Sequence, residues 1–258
     1  MLRKLFVRGA RKGAVATAVP PGQRVYAIGD IHGCLIQLEQ LLDLIAADEA
    51  ERGEADTVLI FVGDLVDRGP DSAGVIDRLM RLATERPTTR FLYGNHEEIF
   101  LKTLDGEDKS LRMFCRVGGR ETAISYGIDD ETYNGLGFTE LQELLERTVP
   151  AEHRAFLEGF EDLISIGDYT FVHAGVRPDL PLAEQSRSDL RWMREPFISS
   201  RKPLEQMIVH GHTITNDVEQ TPARIGIDTG AYVTGVLSAI GLEGTDRWVL
   251  QTPRTTEG

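Results

Sequence analysis

Three times in its first hundred residues this chain repeats one arrangement: a short apolar run, then Gly-Asp or Gly-Asn, then a segment with helical periodicity. Arg24 to Gly29 ends at Asp30-Ile31-His32-Gly33, Thr57 to Val62 ends at Gly63-Asp64, and Arg90 to Tyr93 ends at Gly94-Asn95-His96-Glu97. Runs of four to eight apolar and β-branched residues bounded by turn residues read as buried strands. Between them, Leu35, Leu38, Leu41, Leu42 and Ile45 predict a helix from about Cys34 to Glu49. Asp71-Ser72 caps a second, to about Glu85, with Val75, Ile76, Leu79 and Leu82 as its apolar face. A βαβαβ pattern with right-handed crossovers puts all three strand ends on one sheet edge, where open α/β sheets bind ligands.

The pattern changes further on. From about Asp105 to Phe160 it is helical and irregular, broken by Gly118-Gly119, Gly135 and Gly137, which reads as an insertion. Strands resume at Asp162 to Ile166 and Tyr169 to Val172, the second ending at His173-Ala174-Gly175. Gln206 to Val209 leads to His210-Gly211-His212-Thr213, and Arg224 to Ile227 to Asp228-Thr229-Gly230. Val236 to Ile240 and Arg247 to Leu250 close the series, and a more antiparallel second half is expected. The expected layout is a basic flexible arm over residues 1–23 and a single domain over 24–251, its helical insertion at about 105–160.

The strand ends hold the polar groups. An extended backbone at Asp30 would aim residues i and i+2 the same way, carrying Asp30 and His32 to one point. Asp64, Asn95, His173 and His212 stand at the other ends, and only His153 of the six histidines lies outside these motifs. Carboxylate, imidazole and amide oxygen together suit divalent ions such as Mn²⁺, Fe²⁺ or Zn²⁺. Six ligands exceed the need of one four-coordinate ion; they suit two, with Asp64 as the bridge.

Composition narrows the classes. Of 28 bases and 41 acids, six bases and no acid fall within residues 1–24, so the remainder is strongly acidic. Such a body repels polynucleotide phosphates, which counts against long nucleic acid as substrate. No apolar run approaches the roughly 20 residues of a membrane helix. Two cysteines make no disulfide framework, and a cytoplasmic location is expected.

In order along the chain, Gly29-Asp30-Ile31-His32-Gly33, Gly63-Asp64-Leu65-Val66-Asp67-Arg68-Gly69-Pro70, Gly94-Asn95-His96-Glu97, His173-Ala174-Gly175 and Gly211-His212-Thr213 resemble the signature of calcineurin-like metallophosphoesterases. More narrowly they resemble the bacterial and phage branch of the phosphoprotein phosphatases. The resemblance implies an α/β fold of two mixed β-sheets flanked by helices. It also implies Asp30 and His32 on one metal, Asn95, His173 and His212 on the other, and Asp64 on both. His96 would then be the general acid, oriented by Asp67, with Arg68 and Arg194 as phosphate-binding arginines. Asp228-Thr229-Gly230-Ala231 resembles a late motif with a supporting role.

The expected reaction is hydrolysis of phosphoserine or phosphothreonine in proteins by in-line attack of a metal-bridging hydroxide, with Mn²⁺ foremost and Fe or Zn as alternatives. The alternatives are a nucleotide hydrolase splitting diadenosine polyphosphates or related pyrophosphates, and a non-catalytic phosphopeptide-binding scaffold. By resemblance, the diadenosine tetraphosphatase branch has an uncharged residue in place of Asp67 and Asp in place of Glu97, which favours the phosphatase. Small phosphate esters are further candidate substrates. Glu97 is expected to support the site from behind, Cys34 to be buried and inert, Trp192 to pack, and His210 to stay outside the ligand set.

Overall fold

A computed structural model describes residues 17–254. Its elements run β1 (Gln23–Ile28), α1 (Leu35–Arg52), β2 (Asp56–Phe61), α2 (Ser72–Glu85), β3 (Arg90–Phe91) and α3 (Asn95–Leu104). Helices α4 (Asp108–Val117), α5 (Gly119–Ser125), α6 (Asp130–Gly135), α7 (Phe138–Thr148) and α8 (Ala151–Glu158) follow. Then come β4 (Ile164–Ile166), β5 (Tyr169–Val172), α9 (Arg187–Trp192), β6 (Met207–His210), β7 (Glu219–Gln220), β8 (Arg224–Gly226), α10 (Ala231–Thr234), β9 (Ser238–Glu243) and β10 (Asp246–Gln251).

Two five-stranded mixed sheets result, in the orders β10-β9-β1-β2-β3 and β4-β5-β6-β8-β7. Successive residues of a strand face opposite sides, and the burial follows. Val25, Ala27, Ile60 and Val62 of the first sheet share a core with Phe171, Val209 and Ile225 of the second. Tyr26, Ile28, Leu59 and Phe61 pack on the other side against Leu38, Leu41, Val75 and Ile76 of the two crossover helices. Phe114 and Leu145 of the insertion join that same core. Val172 and Ile208 turn outward to meet Leu190 and Phe197. The layers are therefore helix, sheet, sheet, helix. Each fully buried Val, Leu, Ile or Phe side chain gains about 1.5–3 kcal/mol of transfer free energy, against a spread of about 1 kcal/mol in strand propensity, so burial fixes the register.

β1, β2 and β3 are parallel, as the repeated strand–helix pattern requires. The second half is less antiparallel than expected. β5, β6 and β8 are parallel, and antiparallel pairing is confined to β4, β7 and the β9–β10 hairpin that joins β1. The reason is the same as in the first half, since the strands leading to His173, His212 and Asp228 must all end on one edge.

Most of the expected basic arm lies outside the described residues. Its last part is packed rather than loose: Val19 is buried and its N–H reaches the Gly244 carbonyl at 3.0 Å. Among the described residues no helix is long and apolar enough to cross a membrane.

Candidate metal centre and its surroundings

The strand ends deliver their polar residues to one edge. Asp30, His32, Asp64, Asp67, Asn95, His96, Glu97 and His173 are all buried, His212 is partly buried, and Arg194 is exposed at the rim. The Asp64 carboxylate is the hub. His32 Nε2 lies 3.5 Å from its Oδ2, His173 Nε2 3.4 Å from Oδ1, and His96 Nε2 3.9 Å from Oδ2. Two triads, His32–Asp64–His96 and Asp64–His173–His212, each hold their ligating atoms within 4.8 Å of one another.

The imidazoles are aimed from behind. His32 Nδ1 lies 2.8 Å from the Val66 carbonyl and His173 Nδ1 2.8 Å from that of Val62. A carbonyl only accepts, so both Nδ1 atoms carry a proton and both Nε2 atoms face Asp64, where a bound cation would take their lone pairs. Asn95 Oδ1 lies 3.0 Å from His173 Nε2, which adds one more ligating atom beside the carboxylate. Burial lowers the pKa of His32 well below its ordinary value. It pushes His212 down to about 3, with the His173 charge adding. Burial raises Asp64, but the positive fields of His173 and His96 outweigh it and hold the carboxyl well below the usual range.

Asp30 departs from the expected geometry. β1 ends at Ile28 and His32 has φ of 49°, so a left-handed turn, not an extended strand, brings Asp30 and His32 in. Asp30 Oδ2 accepts the N–H of His212 at 2.9 Å, while its Oδ1 is buried without a hydrogen-bond partner. Burial and the charges of Asp228 and Asp64 raise its pKa well above the ordinary value. An orphaned buried carboxylate oxygen is expensive unless a cation meets it. That atom, the lone pairs of His32 and His173 and the mixed oxygen–nitrogen donor set fit divalent ions at this edge.

His96 belongs to one triad but is oriented differently. Its Nδ1–H donates to Asp67 Oδ2 at 2.6 Å. Burial pulls its pKa down, but the Asp64 charge and the Asp67 hydrogen bond raise it overall. Arg68 reaches His32 Nε2 at 3.0 Å and His96 Nε2 at 2.9 Å, and Arg194 Nε donates to His212 Nε2 at 3.1 Å.

The loops that carry these groups are strained. The five non-glycine residues with positive φ among the described residues are His32, Asp64, Asp67, Arg68 and His212. Left-handed conformations cost about 1–3 kcal/mol each and persist only where the surroundings enforce them. Glu97 supplies much of that force: its carboxylate accepts the N–H groups of Asp64 at 2.8 Å, Leu65 at 2.7 Å and Gly94 at 2.9 Å. Burial pushes its pKa up to about 6, with the Asp64 charge adding. Gly94 is required by contact, since a Cβ there would strike the Asp64 carboxylate.

Sequence reasoning missed the second support. Thr122 of α5 donates to Asp67 Oδ1 at 2.7 Å and accepts the Asp67 N–H at 2.9 Å, and the Gly118 carbonyl accepts from Arg68 N at 2.9 Å. The insertion therefore holds the segment that orients His96. Losing a partner of this kind typically costs 10- to 100-fold, so Thr122→Val should lower turnover about tenfold with metal content unchanged, as metal analysis beside steady-state rates would show.

The side residues behave as structural parts. His210 turns away from Asp64, lying 2.9 Å from the Gly211 carbonyl and against Phe197. His153 bonds Tyr126 and Asp77. Trp192 packs against the main core and donates to Glu98 at 3.0 Å. Burial pushes the Cys34 thiol up to about 11, which keeps it an unreactive thiol at neutral pH. Asp228 is buried at the same edge, its pKa pushed up to about 6 by burial despite accepting the Gly230 N–H.

Two sheets between helices, with carboxylate, imidazole and amide ligands gathered on their shared edge, define a metallophosphoesterase. Residues 23–252 match the sequence model of the calcineurin-like phosphoesterases, and the chain belongs to that family. It is 27% identical over 227 residues to the asymmetrical bis(5'-nucleosyl)-tetraphosphatase of Bacillus velezensis, covering 79% of this chain and 82% of the relative. It is 25% identical over 279 residues to the symmetrical bis(5'-nucleosyl)-tetraphosphatase of Nitrosospira multiformis, covering 88% and 95% respectively. Among solved structures, a candidate diadenosine tetraphosphatase superposes with a TM-score of 0.66 at 24% identity, covering 94% of this chain and all of the other. A protein serine/threonine phosphatase of Saccharomyces cerevisiae gives 0.52 at 15% identity, with 92% and 82% covered.

Proposed function

We propose that the chain is a metal-dependent phosphoric ester and anhydride hydrolase whose preferred substrates are dinucleoside polyphosphates. The observation that carries this choice is that relatives matched along most of both chains, such as those of Bacillus velezensis and Nitrosospira multiformis, bear that name. Asp30, His32 and Asp64 would hold one divalent ion, and Asp64, Asn95, His173 and His212 a second. Such ions supply a water nucleophile at neutral pH and neutralise charge on the phosphoryl oxygens.

The chain's own groups do the rest. Arg68 and Arg194, flanking the centre, present guanidinium N–H groups to the remaining phosphoryl oxygens. His96, whose pKa Asp64 and Asp67 raise, would give a proton from Nε2 to the departing oxygen once a phosphoryl group draws the Arg68 guanidinium away from that nitrogen. Asp67 holds the ring in place, and Thr122 holds Asp67.

A second reading, hydrolysis of phosphoserine or phosphothreonine in proteins, draws on that acid pair. A nucleotide leaves readily without protonation, whereas a serine or threonine alkoxide does not. A buried His96–Asp67 pair is therefore of most use on poor leaving groups. The two separate in one experiment: Mn²⁺-loaded protein given diadenosine tetraphosphate, a phosphothreonine peptide and an aryl phosphate in parallel. Dinucleotide cleavage with the highest kcat/KM supports the first reading, and preferential peptide turnover supports the second. Metal binding without turnover of any of them would favour a binding scaffold and contradict both.

A further inference from the structure

A cavity of about 400 Å³ opens beside Arg68, on the side where α1 begins and α10 follows β8. Its volume falls in the range of small-molecule sites. Its lining includes Ile36, Gln37, Tyr232 and Val233. Ile36 is 69% exposed, Val233 68% and Tyr232 36%, so three of the eight exposed large apolar side chains among the described residues face this one space. Scattered exposed apolar residues need no explanation, but several gathered around one concavity mark a binding surface.

Charge in the cavity is confined to one end. Arg68 is the only cation in the lining, and the only acid, Asp71, has its carboxylate committed to the Gly74 N–H at 2.8 Å, capping α2. The Arg68 guanidinium lies over the Tyr232 ring, with Cζ 4.8 Å from its centroid, and the same guanidinium reaches His32 and His96. One residue thus borders both the phosphoryl centre and the apolar cavity. A ligand that spans them must carry an anionic phosphate at the Arg68 end and a flat or compact apolar group at the other. A nucleotide has that shape and charge order. Its base could lie between the aliphatic side chains of Ile36 and Val233, with the Gln37 amide, donor and acceptor at once, beside the polar base edge.

We propose that this cavity is a nucleobase subsite, bordered by Ile36, Gln37, Tyr232 and Val233, which positions a nucleoside 5'-phosphate against Arg68. It deepens the dinucleotide reading and rests on it for the identity of the substrate. The test uses Mn²⁺-loaded protein, wild type and the double variant Ile36→Asp, Val233→Asp, whose positions are exposed enough to spare the fold. Inhibition of aryl phosphate hydrolysis by adenosine 5'-monophosphate is compared with inhibition by ribose 5-phosphate. The base should make the nucleotide about tenfold the better inhibitor of wild type, as expected for one stacked base, and that advantage should vanish in the double variant.

The same pair of proteins is then assayed on diadenosine tetraphosphate and on a phosphothreonine peptide. A fall of about tenfold in the ratio of their kcat/KM values in the variant agrees with the proposal. An inhibition advantage that survives the double substitution overturns the subsite. So does a loss confined to the peptide, which assigns the cavity to a peptide side chain. Base-dependent inhibition without any dinucleotide cleavage upholds the subsite and overturns the substrate reading instead.

Discussion

Asparagine in place of Asp64 is expected to abolish binding of at least one metal ion and to lower turnover of every phosphate substrate by about 10³-fold. The size of the effect follows from where the carboxylate sits. Three imidazoles, from His32, His96 and His173, approach its two oxygens between 3.4 and 3.9 Å. Asparagine keeps the outline of the side chain and retains an oxygen for the His96 N–H, which the carboxylate accepts at 3.0 Å. The fold should therefore persist, while the charge that holds the site together is gone. The checks are metal content by atomic emission, rates on an aryl phosphate, and thermal unfolding. A variant with normal metal content and full activity would show that Asp64 is not the hub.

The second large effect concerns His96. His96→Asn should slow hydrolysis of substrates with poor leaving groups by about 10²- to 10⁴-fold, and substrates with good leaving groups far less, because only the former need a proton at the departing oxygen. The pH dependence has a definite sign. His96 has a raised pKa, through the Asp64 charge and the Asp67 hydrogen bond set against burial. The acid form is therefore fully present below the ordinary histidine value and is lost as pH rises through the raised one. Wild-type kcat on an alkyl phosphate should decline across that window, and the decline should be absent in His96→Asn. Equal losses on good and poor leaving groups would assign His96 to metal binding, the alternative suggested by its place in a triad with His32 and Asp64.

Much of this centre was legible because it sits at strand ends. The three parallel strands of the first half, and the residues Asp30, Asp64 and Asn95 just beyond them, follow from apolar runs ending in glycine and a polar residue. The placement of His210 was not legible: two residues before His212, it would share a face with it on an extended strand, and the left-handed backbone at His212, φ 63°, sends the two rings apart. The turn at His32 was not legible, because positive φ at a histidine is enforced by tertiary contacts rather than local preference. Thr122 was invisible for a related reason: it lies in the irregular insertion, 55 residues from the aspartate it holds. The apolar cavity draws on the first turn of α1 and on α10, which meet only in the folded chain.

Every role assigned to this edge requires a pair of cations there. Anomalous diffraction from crystals grown with Mn²⁺ tests it most directly. Two peaks are expected, both within coordination distance of Asp64, one also meeting Asp30 and His32 and the other Asn95, His173 and His212. A single peak, or peaks that leave Asp64 uncoordinated, would contradict the assignment.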